Sequence, residues 1–227
     1  MTDLYANQNF VYFDIETLPT QSEEVKEAIR AGIKPPSQYK KPESINEWCN
    51  TFGAAAADAE IAKTSFDGAL GHVCTISWAV NDGDVETRHI ADISDEKAML
   101  VTFFNALDPY HSETLVGHYI AGFDIPFLTK RAIILGVKLP PATAFPRDPK
   151  PWEKVINDTM FMWAGAKGTI GMDKLCEILG IEGKGDFDGK MVADAWANGD
   201  HQRIADYCAD DVRRTREIHQ RFLKAGF

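Results

Sequence analysis

The stretch "NFVYFDIET", residues 9–17, decides how the rest of the chain reads. Asn9 to Ile15 is apolar and aromatic nearly throughout and rich in β-formers, the pattern of a central strand covered on both faces. Side chains two apart on a strand share a face, so Asp14 and Glu16 project together from its carboxyl end. Two adjacent anions at the edge of an apolar core repel and are costly to desolvate. A bound divalent cation would compensate them.

The bulk numbers leave room for that reading. The chain has 227 residues, enough for one sizeable domain with a full core or two small ones. Its 44% hydrophobic and 11% aromatic content is that of a folded globular protein. No apolar run approaches the length of a membrane span, and no membrane partner is expected. "MTDLYANQNF" lacks the basic start and apolar stretch of a signal peptide. Cys49, Cys74, Cys176 and Cys208 form no CxxC pair, so they read as reduced thiols of an intracellular protein rather than as zinc ligands. A net charge of −10, taken alone, argues against nucleic acid. The argument weakens because a carboxylate site for Mg²⁺ needs acids, and "RRTREIHQRFLKAGF" at the C-terminus is locally basic.

Working outward, "SEEVKEAIRA" (22–31) reads as an amphipathic helix and "GIKPPSQYKKPE" (32–43) as a loop. "SINE" (44–47) has capping-box spacing and should open a helix reaching toward residue 64. "HVCTISWAV" (72–80) and "VETRHI" (85–90) flank the turn "NDGD" as a hairpin. A helix over 94–107, a short strand over 114–118 and a helix over 124–136 follow, then a Pro-rich loop over 140–152. The remainder reads as mostly helical, interrupted by the glycine stretch 180–190 and closed by a long helix over 200–225. That order predicts one α/β domain over 1–227, with a mixed central sheet flanked by helices and a helical or loop insert at about 20–70. Its first three strands can pair antiparallel, and the later ones cross over through helices.

Three carboxylate clusters carry the chemistry: Asp14 with Glu16, Asp124 in "GHYIAGFDIPFL", and "YCADDV", where Tyr207 and Asp211 share a helical face. Mg²⁺ wants oxygen ligands, and two ions roughly 3.5–4 Å apart can clamp both oxygens of an in-line phosphoryl displacement. A Tyr one turn from a metal-ligating Asp can orient the attacking water. Each residue also has a plainer reading. Asp124 alone would be a helix cap, Tyr207 alone a core aromatic, and Asp158 an N-cap. Asp210 points away from Asp211 and reads as solvated. Lys184, Lys190, Lys34, Lys40 and Lys41 read as solvated, and Trp48 with Phe52 as packing.

Together and in this order, "FDIET", "GHYIAGFDIPFL" and "YCADDV" resemble the three motifs of the DEDDy 3′–5′ exonucleases. These have the ribonuclease H-like fold of the proofreading domain of family B DNA polymerases, and the best match is the stand-alone family of predicted 3′–5′ exonucleases related to it. "DTMFMW" (158–163), "MDKLCEILGI" (172–181) and "GKGDFDGKMV" (183–192) extend the resemblance over nearly the whole chain, most weakly at roughly 20–70. It implies Asp14, Glu16, Asp124 and Asp211 as ligands of two divalent ions, Mg²⁺ or Mn²⁺, with Tyr207 positioning the water. It further implies substrate contacts from Thr17, Leu18, His118, Tyr119 and Phe123, and support from Asp158. The implied substrate is the 3′ end of single-stranded DNA, in the cytoplasm of a bacterial or phage-infected cell, where replication or repair proteins are possible partners. A non-catalytic end-binding module and an exoribonuclease stay open as alternatives. The chain departs from the family pattern at Tyr119, which stands where Asn is usual. A histidine variant of the last motif would use His201 and Asp206, and Tyr207 with Asp211 fits the context better.

Overall fold

A computed structural model describes residues 9–107, 113–148, 150, 152, 155–183 and 185–227. The N-terminal stretch read for a signal peptide, apart from Asn9 and Phe10, and Lys184 lie outside them. Strand β1 runs Phe10–Leu18, three residues beyond the predicted end, because β2 (His72–Val80) pairs with it antiparallel as far as Leu18 against His72. The acids thus sit inside the strand's last turns of pleat, and the ladder shifts register between Glu16 and Thr17. β3 (Glu86–His89) closes the predicted hairpin on β2. β4 (Thr114–Gly117) lies parallel to β1 on its other side, and β5 (Ile156–Asp158) lies parallel to β4. The order is β3-β2-β1-β4-β5, a mixed sheet centred on β1. β5 is absent from the sequence reading, because three residues leading straight into a helix leave no alternation to detect.

Both faces of β1 are covered. Val11, Phe13 and Ile15 join the main core with Leu100, Phe103 and Leu128 from helices α3 (Glu96–Leu107) and α4 (Asp124–Leu135). Phe10 and Tyr12 face the long helix α8 (His201–Ala225), packing with Val212. His219 of α8 is fully buried there, its Nδ1 3.0 Å from the Tyr12 hydroxyl and its Nε2 accepting from Asn157 at 2.8 Å. Burial drives its pKa down to about 4, so it holds α8 to β1 and β5 as a neutral ring. α8 buries one stripe, including Ile204, Cys208, Asp211, Thr215, Ile218 and Phe222, spaced three and four apart.

Helices α1 (Glu23–Gly32) and α2 (Pro42–Lys63) form the expected insert. α1 buries no residue and α2 only Ala57 and Ile61. The "SINE" capping box is not used. α2 starts at Pro42, whose fixed φ and missing N–H suit the first helical position, and Ser44 donates to the Lys41 carbonyl. Among the remaining elements are α5 (Thr159–Ala164), α6 (Met172–Leu179) and α7 (Val192–Ala197). Among the described residues, no helix is long and apolar enough to cross a membrane.

Candidate carboxylate and cleft site

The site forms where β1, the loop before α4, and α8 meet. Pairing of β1 with β4 covers only Phe10 to Tyr12. Beyond it, the Ile15 amide donates to Asp124 Oδ1 at 3.2 Å, so Asp124 takes the place a neighbouring strand would fill. Asp124 is therefore the first residue of α4 rather than its cap, a position occupied by Phe123. The connection Gly117–Phe123 is tight. A Cβ at Gly117 would lie 1.6 Å from Ile120 Cγ2, so only glycine fits. Asp158 anchors this loop, accepting from the Tyr119 amide at 3.0 Å and the Ala121 amide at 3.2 Å. It also caps α5 through the Met160 and Phe161 amides.

Asp14, Glu16 and Cys208 bring one ligand atom each within 4.8 Å of one another. The Cys208 thiol points at Asp14, 3.4 Å from its carbonyl oxygen and 3.5 Å from Oδ2. Burial and the neighbouring Asp14 and Glu16 charges push its pKa far up, so it stays a thiol. Asp124 is buried beside the two β1 acids. Burial, then Asp124 and Glu16, raise Asp14 well above the usual carboxylate range. Burial and Asp124 raise Glu16 to about 8, and burial raises Asp124 to about 7. Three carboxyls gathered in one largely buried corner repel, and a counter-charge is needed to ionise them all.

Asp211 is buried one turn after Tyr207 on α8 but joins the cluster indirectly. Its Oδ1 accepts from Nη2 of Arg214, a buried cation whose charge partly opposes the rise in the pKa values of Asp14 and Glu16. The Arg214 guanidinium carbon lies 5.9 Å from the Tyr207 ring centre. Sequence reading passed over Arg214 and Cys208. The signal for Arg214 was its place three residues after Asp211, on the buried stripe of α8. The Tyr207 ring tilts against Phe187 at 5.1 Å. Burial, then Glu16 and Asp14, push its phenol pKa up. Asp210 is exposed and pairs with Arg213, as its helical angle predicts. His201 packs on Trp196 at 5.8 Å, and Asp206 is exposed and bonded to Gln202, so the histidine alternative gathers no site.

Beside Glu16 opens a cleft of about 700 Å³, lined by Ile15, Thr17, Phe66, Phe123, Lys63 and Lys190 among others. Phe66 is 72% exposed and meets Phe123 edge-on at 6.4 Å. Thr17 lines the cleft with its hydroxyl donated to the Ser65 carbonyl at 2.8 Å. Phe66, missed in the sequence, lies on a short 3₁₀ turn, Thr64–Phe66, after α2. Two expected contacts need correction. The Leu18 side chain is wholly buried in the core and cannot touch a ligand in the cleft. His118 has both ring nitrogens engaged: Nε2 donates to the Ile170 carbonyl and Nδ1 accepts from Thr159, both at 2.9 Å. Burial lowers its pKa, so it is a neutral structural residue. Tyr119 is half exposed over Gly122 and takes φ of 69°, a left-handed conformation that a bulky residue rarely adopts. It lines a separate hollow of about 290 Å³ with Phe161 and Lys167.

Comparison with known proteins bears on the family and the fold. A family model described as a predicted 3′–5′ exonuclease related to the exonuclease domain of PolB matches residues 66–225. Among solved structures, the family B DNA polymerase of the hyperthermophilic archaeon Pyrobaculum calidifontis superposes with a TM-score of 0.60 at 18% identity. The match covers 95% of this chain and 24% of the polymerase, so the chain spans about a quarter of that protein's length. No curated protein matches the chain. The fold is thus the ribonuclease H-like α/β fold of the polymerase exonuclease domain.

Proposed function

The chain belongs to the family of predicted 3′–5′ exonucleases related to the exonuclease domain of PolB, and from that premise we propose that it removes nucleoside 5′-monophosphates from the 3′ end of single-stranded DNA. The observation that carries the reading is the gathering of buried Glu16 and Asp124 with partly buried Asp14, Glu16 lining the cleft, with every one of their pKa values raised. Such a group is unstable alone and suited to hard cations. Asp14, Glu16, Asp124 and Asp211 would hold two Mg²⁺ or Mn²⁺ ions. When bound, these would supply the positive charge that activates a water and offsets charge on the departing 3′ oxygen.

The chain's own residues do the rest. Tyr207 remains a phenol at neutral pH, so it orients the water by a hydrogen bond and does not remove its proton. Phe66, with Phe123 braced against it, offers a face on which an unpaired terminal base can stack. Lys63 and Lys190 stand at the same cleft for backbone phosphates. Asp158 keeps the Tyr119–Ala121 amides, and hence Asp124, in place. Three buried free thiols, Cys208 beside Asp14, Cys74 on the Glu16 carbonyl and Cys176 deeper in the fold, suit a reducing compartment, which supports a cytoplasmic location.

The test uses 5′-labelled single-stranded DNA and a matched RNA, each with Mg²⁺, Mn²⁺ or EDTA. A metal-dependent ladder that shortens from the 3′ end of the DNA, and is absent with Asp14→Ala, is expected. Shortening of the RNA alone would move the substrate to RNA. Metal-sensitive binding without cleavage of either would make the protein an end-binding module.

A further inference from the structure

Arg214 is unusual among the buried cations of this protein. It is 6% exposed, yet its Nε has no hydrogen-bond partner among the described residues. One arm of the guanidinium holds Asp211 on its own helix. The other reaches Asp173 Oδ1, in the first turn of α6, at a long 3.4 Å. Arg131, buried on the far side of the sheet, instead grips Glu96 with two bonds of 2.7 and 2.8 Å. A fork with one N–H unused and one long contact is not locked, and a second carboxylate lies within its reach.

Position makes this consequential. Arg214 touches one of the four acids assigned to metal binding, and its guanidinium lies against the ring of Tyr207. A cation entering the same corner meets a like charge already seated there. Asp211 cannot give Oδ1 fully to both. Asp173, whose side chain is half exposed, can receive the displaced guanidinium without leaving it bare in the interior.

We propose that Arg214 is a positioning residue that competes with divalent cations for Asp211, holding that carboxylate in the metal-free protein and passing to Asp173 when the site loads. The proposal rests on the exonuclease reading above. It makes Arg214 the resident counter-ion that lets four acids share one buried corner, and it makes Asp173 a determinant of metal affinity although Asp173 is not itself a ligand. Because Arg214 also contacts Tyr207, the same movement couples metal loading to the placement of the water-orienting phenol.

The two residues then act with opposite sign. Arg214→Met removes the competitor and should tighten Mn²⁺ binding at least about fivefold, whereas Asp173→Asn removes the alternative seat and should weaken it about threefold. Mn²⁺ alone is titrated into the full chain by calorimetry, at one fixed pH for every variant. An unchanged affinity, or a change of the same sign in both variants, overturns the proposal, and so does a weakening by Asp173→Asn that persists undiminished in the Arg214→Met background, as the bare loss of a nearby negative charge predicts. Should Arg214→Met fail to fold, Asp173→Asn decides by itself: affinity equal to or tighter than that of the unaltered chain refutes the exchange. Asp14→Ala separates the two levels. If it binds Mn²⁺ normally, the carboxylate site itself is wrong. If it abolishes binding while Arg214→Met and Asp173→Asn change nothing, only the role of Arg214 fails.

Discussion

Two buried groups of acids, on opposite faces of the same sheet, have opposite chemistry. Behind the sheet, Glu96 is fully buried and has four partners. Oε1 accepts from the Val73 amide and Arg131 Nε, and Oε2 meets Arg131 Nη2 and His72 Nδ1. Burial pushes its pKa up, but the bonds from His72 and Arg131 outweigh this and hold it below the usual range. On the α8 face, Asp14, Glu16 and Asp124 have fewer donors and more like-charged neighbours, and all three are raised. One group is complete and joins β2, α3 and α4. The other is incomplete and suited to a ligand. Burial of a carboxylate therefore says nothing about its purpose until its donors are counted.

The largest effect should come from breaking each group. Arg131→Met strips Glu96 of its guanidinium partner and two of its four bonds, and chemical denaturation should show a loss of about 3–5 kcal/mol. Asp14→Asn should do the reverse. It relieves repulsion, so the metal-free protein should be at least as stable as the unaltered chain, while turnover on labelled DNA falls by a factor of about 10³ or more. A clear loss of stability in Asp14→Asn would mean that the two groups do not differ in kind.

The pH dependence sharpens the contrast. Glu16 and Asp124 are raised to about 8 and about 7, so the folded, metal-free chain holds more protons than the unfolded one between the ordinary carboxylate range and about pH 8. Stability in EDTA should fall as pH rises through that window. Glu96 is depressed, so its contribution is present above the ordinary carboxylate pKa and is lost only in acid. Thermal melts from pH 5 to 9 should show the decline in EDTA and its suppression by Mg²⁺. A flat profile in EDTA would show that the site acids are ionised without metal.

The smallest effect concerns Tyr119. Its φ of 69° strains a bulky side chain, and Asn tolerates the left-handed region better. Tyr119→Asn should raise the urea midpoint by the equivalent of about 1 kcal/mol. A lowered midpoint would show that packing of the ring on Gly122 outweighs the backbone strain.

The order of strands and helices was legible because hydrophobic periodicity marks long elements: β1, β2 and α8 all lie where their patterns put them. Short or special features were not. β5 has three residues, and α2 starts at a proline two residues before its apparent capping box. In the site, Asp14, Glu16, Asp124, Tyr207 and Asp211 could be named from motif spacing. That Leu18 faces the core and that His118 is spent on Thr159 and Ile170, 41 and 52 residues away, depended on partners distant in sequence but adjacent in space.

The sequence by itself determined which acids could meet, since strand alternation places Asp14 with Glu16 and helical spacing places Tyr207 with Asp211. Only the tertiary structure decided their charge state. Whether a carboxyl ionises depends on the donors, cations and dielectric around it, and these arrive from elements far apart in the chain. Asp124 reaches β1 through the Ile15 amide, Cys208 comes from α8 to Asp14, and Arg214 stands between Asp211 and Asp173. Local pattern carries geometry along one element, but electrostatics sums over all of them.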